Sequence, residues 1–359
     1  MNVLIVGTYT TRDAPAIAGD QELGRGIYLF PYDGERGEAG EAAVIAEAEN
    51  PSWVCVAGGR MFAVSERADS AVLLEYELCK SGQEEVCVSK TGELHMKGSA
   101  CCHIEKDAKR RRLYLSDYGS GDLKVIDIAK PGDPVLIQQL SFEGSGPNRE
   151  RQEASHIHSG RLIGDELYVA DLGNDSIYLF DVSKERISKR RTLRTKPGAG
   201  PRHMQAIDKA GNRILYVVNE LNCTLSVYRD DEEIQTLPLS EWQGGQGELA
   251  ADLVLSENGF LYASVRGTGE IRSFGIGADG TIEALQTVRI SDAAQAGVQA
   301  GGIRSICLDQ AEKHLIAADQ RSGTLAVFDR QGDGTLTGGR ILREVPAPVK
   351  VMTAEVNAV

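Results

Sequence analysis

One short unit occurs seven times along the 359-residue chain: an apolar strand pattern, a polar turn and a second strand pattern. Its first strand reads LIVGTYT at 4–10, MFAVSER at 61–67, LYLSDYG at 113–119, LYVADLG at 167–173, LYVVNEL at 215–221, LYASVRG at 261–267 and LIAADQR at 315–321. A period of about 50 residues with several short strands in each period is typical of a β-propeller. The repeat therefore predicts an all-β, seven-bladed β-propeller that forms a single domain over residues 1–359.

A further strand pattern precedes each unit, as in SWVCVA at 52–57 and PRHMQAI at 201–207. Its last copy, PVKVMTA at 348–354, has no unit after it, whereas the first unit at the N-terminus has no strand before it. We expect the C-terminal strand to pair with the N-terminal blade. This pairing would close the ring and remove the exposed sheet edges.

The charge and the cysteines restrict the partners and the compartment. The formal net charge of −13 disfavours nucleic acid and anionic membranes as partners. The first residues lack the basic and apolar regions of a signal peptide. The seven cysteines are irregularly spaced and form no CxxC pair, which indicates reduced thiols. We expect a cytoplasmic protein, either a monomer or a weak homo-oligomer.

Polar residues recur where two strands of each blade should meet. The strand that precedes each unit and the first strand of the unit are expected to be antiparallel neighbours, so the start of one and the end of the other lie on the same face of the ring. Preceding strands start near His103, His156, His158, Arg202, His203 and Arg304. First strands of the unit end near Glu66, Tyr118, Asp171, Asn219, Glu220, Arg266 and Gln320. Capping in solvent accounts for any one of them, but together they predict a ligand site at this mouth.

The polar segment at 144–153 is long for a turn and leads directly to His156. It is either a plain exposed loop or one that brings Arg151 to an anionic ligand, because loops at such a mouth often carry binding residues. His156 and His158 would share one face of a strand. A lone HxH pair is weak as a metal signal, and we expect neither a metal nor an organic cofactor.

Short motifs along nearly the whole chain resemble those of the propeller lactonase family, which includes a bacterial 6-phosphogluconolactonase and a fungal carboxymuconate-lactonizing enzyme. They include GTYT at 7–10, NPS at 50–52, SDYGSG at 116–121, GPNRERQEASHIHS at 146–159, GPRH at 200–203, NEL at 219–221 and VRG at 265–267. The resemblance implies a catalytic set of one histidine, two arginines and one glutamate, which here are His158, Arg202, Arg266 and Glu220. The other mouth residues are expected to bind the substrate: His103, His156, His203, Glu66, Tyr118, Asp171, Asn219, Arg304, Gln320 and Arg151.

The resemblance also implies a substrate, a small anionic lactone, with 6-phosphoglucono-1,5-lactone the leading candidate. His158 would take a proton from water, with Glu220 as its orienter or as an alternate base. Arg202 and Arg266 would hold the anionic group or the developing oxyanion. Two alternatives stay open at this stage. One is a cycloisomerase acting on a muconate-type dicarboxylate, and the other is a non-catalytic propeller that binds protein partners.

Overall fold

Seven small antiparallel sheets follow one another along the chain and form the blades of a propeller. The computed structural model describes residues 1–356 apart from 16, 18, 43, 82–84, 241–247 and 294–300. Blade 1 contains strands from both ends of the chain, and blades 2 to 7 each contain four consecutive strands. The predicted seven-bladed all-β fold is confirmed.

Each blade has one inner strand beside the central channel. The inner strands are β29 (Pro348–Glu355), β5 (Trp53–Ala57), β9 (Cys101–Asp107), β13 (Ile157–Ile163), β17 (Pro201–Lys209), β21 (Leu249–Leu255) and β25 (Ile303–Leu308), in blades 1 to 7. The second strands, in the same order, are β1 (Asn2–Thr8), β6 (Arg60–Glu66), β10 (Arg112–Asp117), β14 (Glu166–Asp171), β18 (Asn212–Asn219), β22 (Phe260–Arg266) and β26 (His314–Asp319).

The third and fourth strands lie further from the channel. The third strands are β2 (Ile27–Asp33), β7 (Ala71–Ser81), β11 (Asp122–Asp127), β15 (Ser176–Asp181), β19 (Thr224–Arg229), β23 (Glu270–Ile276) and β27 (Thr324–Arg330). The outer strands are β3 (Glu38–Ala39) with β4 (Val44–Ala46), β8 (Glu85–Met96), β12 (Val135–Ser141), β16 (Ser188–Arg194), β20 (Glu232–Pro238), β24 (Ile282–Arg289) and β28 (Leu336–Glu344). A 3₁₀ turn at Leu172–Asn174 and a one-turn helix α1 at Ile290–Ala293 complete the described elements.

The ring closes through β29, as the sequence predicts. This strand pairs antiparallel with β1, from Asn2 opposite Glu355 to Thr8 opposite Pro348. Each inner strand also contacts the inner strand of the next blade, and β29 contacts both β25 and β5. The C-terminal strand therefore completes blade 1 and closes the circle between blades 7 and 2.

The apolar core consists of separate clusters between adjacent blades. Blades 7 and 1, for example, share a cluster that contains Leu4, Val6, Val351, Ile316 and Val327, all fully buried. Such burial stabilises each blade only against its neighbours, because a single sheet has too little apolar surface of its own. The ring geometry is therefore held by contacts between blades.

A tyrosine of the repeated LYV-type strand links blade 5 to blade 6, and another links blade 6 to blade 7. Tyr216 and Tyr262 are buried, and their hydroxyls donate to the carbonyl oxygens of Gly280 and Gly334, both at 3.0 Å. Each of these acceptors lies in a turn of the next blade. At these two positions the tyrosine is thus explained by contacts between blades rather than by ligand binding.

The expectation that the cysteines are reduced thiols is wrong for two of the seven. Cys79 and Cys87 form a disulfide between the adjacent strands β7 and β8, where they stand directly opposite each other with a Cα–Cα distance of 5.1 Å. The spacing in the sequence did not show this pairing because the register of the hairpin was not predicted. Cys55, Cys101, Cys102, Cys223 and Cys307 are free thiols.

Among the described residues, no helix has the length and apolar character needed to span a membrane.

A core substitution in β29 tests the contribution of ring closure to stability. Val351 is fully buried between blades 1 and 7. We expect Val351→Ala to lower the free energy of unfolding by roughly 2–3 kcal/mol, because two methyl groups are lost and a cavity remains. Chemical denaturation measures the loss. Val135→Ala, at an exposed position on β12, is the control and should change stability by about 0.5 kcal/mol or less. Equal effects of the two substitutions would contradict this account.

Candidate active site

A cavity of about 330 Å³ opens at the mouth where the inner strands begin. A smaller cavity continues from it into the channel and shares four of its lining residues, Glu66, Cys102, His158 and Arg304. We call the two cavities together the bowl. Charged and aromatic side chains predominate in the bowl, and this sets it apart from the apolar interfaces between the blades.

In five of the blades a bulge near the start of the inner strand points one side chain into the bowl. In five blades a single residue is left out of the ladder to the second strand, namely Cys102, His158, Arg202, Arg304 or Val349. In blade 6 the irregularity extends over Ala251 and Asp252. In blade 2 the ladder begins only at Trp53, so Ser52 holds the corresponding position. A bulge breaks the two-residue alternation of a strand and redirects a side chain.

The residue at the end of each second strand forms a rim above these bulges. In blade 5, for example, the Glu220 N–H donates to Gly200 O at 2.7 Å, two residues before the bulge at Arg202. Six blades make this bond, and in blade 6 Arg266 pairs with Leu249 instead. The rim residues are Tyr9, Glu66, Tyr118, Leu172, Glu220, Arg266 and Gln320.

Left-handed backbone accompanies several of these bulges. Asn50, Ala100 and Ala347 have φ values of 44°, 51° and 45°, and Gly200 has a φ of 64°. At Gly200 a Cβ atom would lie 2.5 Å from the Leu221 Cγ, so glycine is required there for space as well as for conformation. Strained backbone of this kind is common at functional sites, and here it turns the chain into the inner strand.

Glu220 is the centre of the charged wall of the bowl. Three guanidinium groups contact its carboxylate: Arg202 through Nε at 2.7 Å, Arg151 through Nη2 at 2.6 Å and Arg266 through Nη2 at 2.8 Å. Glu220 is 2% exposed. Its burial alone would raise the pKa, but the three arginines outweigh burial and hold the pKa of Glu220 well below its ordinary value. The group is therefore a fixed anion.

His158 lies beside this wall with a free imidazole. Its ring contacts Tyr118 and His203 at centroid distances of 5.8 and 5.2 Å, but it forms no hydrogen bond with a described residue. Burial, together with the positive charge of Arg202, holds the pKa of His158 well below its ordinary value. The imidazole is thus neutral at pH 7, and its Nδ1 has no hydrogen-bond partner among the described residues.

Arg151 reaches Glu220 from the loop at 144–153, in agreement with one of the two interpretations of that segment. The loop is anchored by the fully buried side chain of Gln152, whose Nε2 donates to Leu172 O and to Asp175 Oδ1 at 2.9 and 2.8 Å. Arg151 also donates to the Tyr118 hydroxyl at 3.4 Å. The loop therefore presents Arg151 in a fixed position over the bowl.

A second wall of the bowl contains Arg304, Tyr9 and Glu66. The Tyr9 hydroxyl donates to Glu66 Oε2 at 3.0 Å, and the Arg304 guanidinium lies over the Tyr9 ring at 5.4 Å. Burial is the main cause that raises the pKa of Tyr9, and Glu66 raises it further. Tyr9 is therefore a neutral donor.

His203 and His103 lie deeper than the bulges. His203 Nδ1 is 2.7 Å from Asp252 Oδ1, while its Nε2 is 3.3 Å from Arg202 Nη1. Both histidines also line a small cavity of about 110 Å³ that borders Trp53 and Lys350. His203 therefore positions Arg202, while His103 belongs to the channel below the bowl.

Four predicted mouth residues are engaged in local structure. His156 stacks on Tyr118 at 4.3 Å, and its Nδ1 is 2.8 Å from the Tyr118 carbonyl. The fully buried Asp171 accepts from the His156 N–H and caps the turn at Leu172–Asn174. Asn219 donates to Thr224 and Ser226, both at 2.9 Å.

Gln320 uses its backbone at the rim. Its N–H donates to Gly302 O, and its carbonyl accepts from the Gln21 side chain. None of the four side chains lines the bowl, so ligand contact by them stays a prediction.

Two bowl residues, Tyr9 and Cys102, were not singled out as site residues from the sequence. Tyr9 ends the first strand of its unit just as Glu66 ends the next one, so its signal was present in the repeat. Cys102 occupies the same bulge position as His158, which could not be recognised without the strand register. Its buried thiol has a pKa raised by desolvation and is not a reactive thiolate.

A larger cavity of about 410 Å³ lies elsewhere, beside the turn at Gly58 and Gly59. Arg60 and the buried Glu75 line this cavity, and their side chains form an ion pair with each other at 2.7 Å. No histidine or cysteine lines it among the described residues. The bowl is the better candidate because several ionisable groups converge there.

Comparison with known proteins gives a family match over most of the chain. A family described as "Lactonase, 7-bladed beta-propeller" matches residues 3–353. The chain is 26% identical over 362 residues to a 6-phosphogluconolactonase of Bacillus subtilis, with 96% of each chain covered.

Two solved structures share the fold. A putative 6-phosphogluconolactonase from Bacteroides fragilis has a TM-score of 0.80 at 24% identity, with 99% of this chain and 98% of that one covered. The periplasmic gluconolactonase of Pseudomonas aeruginosa has a TM-score of 0.82 at 23% identity, with 99% of both chains covered.

The buried histidines make stability depend on pH. Burial lowers the pKa of His203 from 6.5 to about 4, and Arg202 adds to the effect. In the unfolded chain this histidine protonates near pH 6.5, while in the folded protein it stays neutral, so acid favours unfolding. We expect His203 to account for a loss of about 2–3 kcal/mol between pH 6.5 and 4.5.

Chemical denaturation at several pH values measures this loss. His203→Gln should flatten the dependence, whereas His95→Gln, at an exposed position, should keep the wild-type slope. If His203→Gln leaves the slope unchanged, the assignment of a neutral buried imidazole is wrong.

Proposed function

The chain belongs to the seven-bladed β-propeller lactonase family, and on that basis we propose that it hydrolyses a sugar lactone, 6-phosphoglucono-1,5-lactone. One arrangement carries the proposal: a buried carboxylate fixes three arginines beside a neutral imidazole that has no hydrogen-bond partner among the described residues. Opening a lactone needs a base for water and positive charge for the carbonyl oxygen. The name of the B. subtilis relative supports the choice of substrate.

His158 is the proposed base. It takes a proton from a water molecule as the water oxygen attacks the lactone carbonyl carbon. When the bond from that carbon to the ring oxygen breaks, the imidazolium returns the proton to the ring oxygen, which becomes a hydroxyl group. One water is consumed and the product is the open-chain acid. An imidazole that is neutral at pH 7 suits the first step.

Arg202 and Arg266 are proposed to stabilise the oxyanion. Glu220 contacts one nitrogen of each guanidinium, Arg202 Nε and Arg266 Nη2. The hydrogen bonds of Arg202 to described residues involve Nε and Nη1, which leaves Nη2 for the substrate. Fixed donors of this type lower the barrier because they need no rearrangement as charge develops. Glu220 itself acts as the orienter and not as the base, because its paired carboxylate has a depressed pKa and resists protonation.

The compartment and the assembly state belong to the proposal as well. We propose a cytoplasmic protein that acts as a monomer or weak homo-oligomer, whereas the similar P. aeruginosa protein is described as periplasmic.

Hydrolysis of 6-phosphoglucono-1,5-lactone by the purified protein tests the proposal. The lactone also opens spontaneously, so the measured quantity is the excess rate over buffer, followed by release of acid. We expect clear acceleration by the wild type, and we expect His158→Gln to lower kcat by about 10²–10⁴-fold because the base is lost.

His95→Gln is the matched control and should retain the wild-type kcat, because His95 is exposed on β8, away from the bowl. A wild-type rate equal to the spontaneous rate would refute the proposed substrate. Turnover of a muconate-type dicarboxylate in its place would indicate the cycloisomerase alternative.

A further inference from the structure

Arg304 differs from the other arginines of the bowl in having no carboxylate partner. Arg151, Arg202 and Arg266 all contact Glu220 within 2.8 Å. Arg304 lines both cavities, yet it forms no ion pair or hydrogen bond with any residue in the described ranges. Its contact is with the face of the Tyr9 ring, whose centroid lies 5.4 Å from the Arg304 Cζ atom. The donors of Arg304 are therefore available to a ligand.

The position of Arg304 in the ring separates it from the proposed chemistry. Arg304 is the bulge residue of blade 7 and His158 that of blade 4. Three blades is the largest separation that a ring of seven allows. A group bound by Arg304 would thus lie across the bowl from the base and not next to it.

The formal charge of the bowl is that of an anion site. Four arginines and two glutamates line it, which leaves two positive charges when His158 is neutral. Burial and repulsion from Arg202 and Arg304 lower the pKa of Arg266 to about 10 although Glu220 opposes the shift. Buried charge of one sign is costly unless a ligand neutralises it. A phosphate monoester carries a charge of about −1.5 to −2 at pH 7.

The chemistry of a phosphorylated sugar lactone fits both the position of Arg304 in the ring and the net positive charge of the bowl. In 6-phosphoglucono-1,5-lactone, phosphorus is five bonds from the reacting carbonyl carbon through the ring oxygen, C5, C6 and O6. Its oxygens must therefore contact a different wall from the one that holds the carbonyl. Glu220 and its arginines form the wall beside His158. The wall of Arg304, Tyr9 and Glu66 therefore remains for the phosphate. Arg304 is the cation of that wall, and the Tyr9 hydroxyl already donates to Glu66.

We propose that Arg304 is a specificity-determining residue that binds the phosphate of a phosphorylated lactone. The inference rests on the proposed lactonase function and goes beyond it, because it states which residue distinguishes phosphorylated from unphosphorylated substrates. The planar guanidinium can bind two phosphate oxygens at once.

The experiment compares kcat/KM for 6-phosphoglucono-1,5-lactone and for glucono-1,5-lactone. We expect Arg304→Gln to lower the ratio of the two values by about 10–100-fold, chiefly through KM, because hydrogen bonds to a charged group are lost. We expect the ratio for Arg304→Lys to lie between those of the wild type and Arg304→Gln, since lysine keeps the charge but not the bidentate geometry. Equal fold-losses on both lactones in both variants would overturn the proposal.

Arg161→Gln is the matched control. It removes the same charge from a residue that lines the small cavity below the bowl. We expect its ratio to stay within about twofold of the wild type, because a more distant charge is more strongly screened. A drop as large as that of Arg304→Gln would show a general field effect and would overturn the assignment. Thermal melting of each variant confirms that the protein being assayed is folded.

Binding without turnover separates this inference from the proposed function. Calorimetry measures the affinities of the wild type and Arg304→Lys for 6-phosphogluconate and for gluconate. If neither lactone is hydrolysed, the lactonase proposal fails. A wild-type preference for the phosphorylated acid that weakens in Arg304→Lys would still support the phosphate site. Equal affinities of the wild type for the two acids would overturn it.

Discussion

The pairing of β29 with β1 is the interaction on which the rest of the structure depends. It joins the two ends of the described chain, and without it the ring would be open between blades 7 and 2. The pairing gives β1 a hydrogen-bonded partner on its inner side, as the second strand of every other blade has. It also fixes the site, because the bowl includes Tyr9 from the first unit and Val349 from the last strand. Folding and function are thus linked through the same strand pair.

Within the closed ring, one local distortion is reused to build the site. A bulge near the start of the inner strands places Cys102, His158, Arg202 and Arg304 at equivalent points of four blades. The backbone bond behind each bulge involves main-chain atoms only, so it does not dictate the side chain. Chemistry can therefore differ from blade to blade while the frame stays constant. This is a physical reason why one fold can serve several reactions.

The sequence allowed the seven blades and most of their strands to be predicted, because strand periodicity and the repeat are local properties. The rim residues Glu66, Tyr118, Glu220 and Arg266 followed from the ends of those strands, and the structure places them around one cavity. The bulges could not be predicted, since a bulge is a property of the ladder between two strands. For that reason His156 and His158 were expected to share one face of a strand, although one ring stacks on Tyr118 and the other lines the bowl. Asp171 and Asn219 resembled ligand contacts because a buried polar residue that satisfies its own blade has the same sequence pattern.

The charge arrangement explains why the carboxylate and the imidazole have to lie side by side. Three guanidiniums that converge in a buried site repel one another, and Glu220 is the group that holds them together. Burial, together with the positive charge of Arg202, disfavours protonation of His158, so its imidazole stays neutral within the pH range where free histidine begins to charge. Removal of the carboxylate would release the arginines and also alter the field around the imidazole. The proposed base and the proposed oxyanion site therefore cannot be changed independently, because both depend on one buried negative charge.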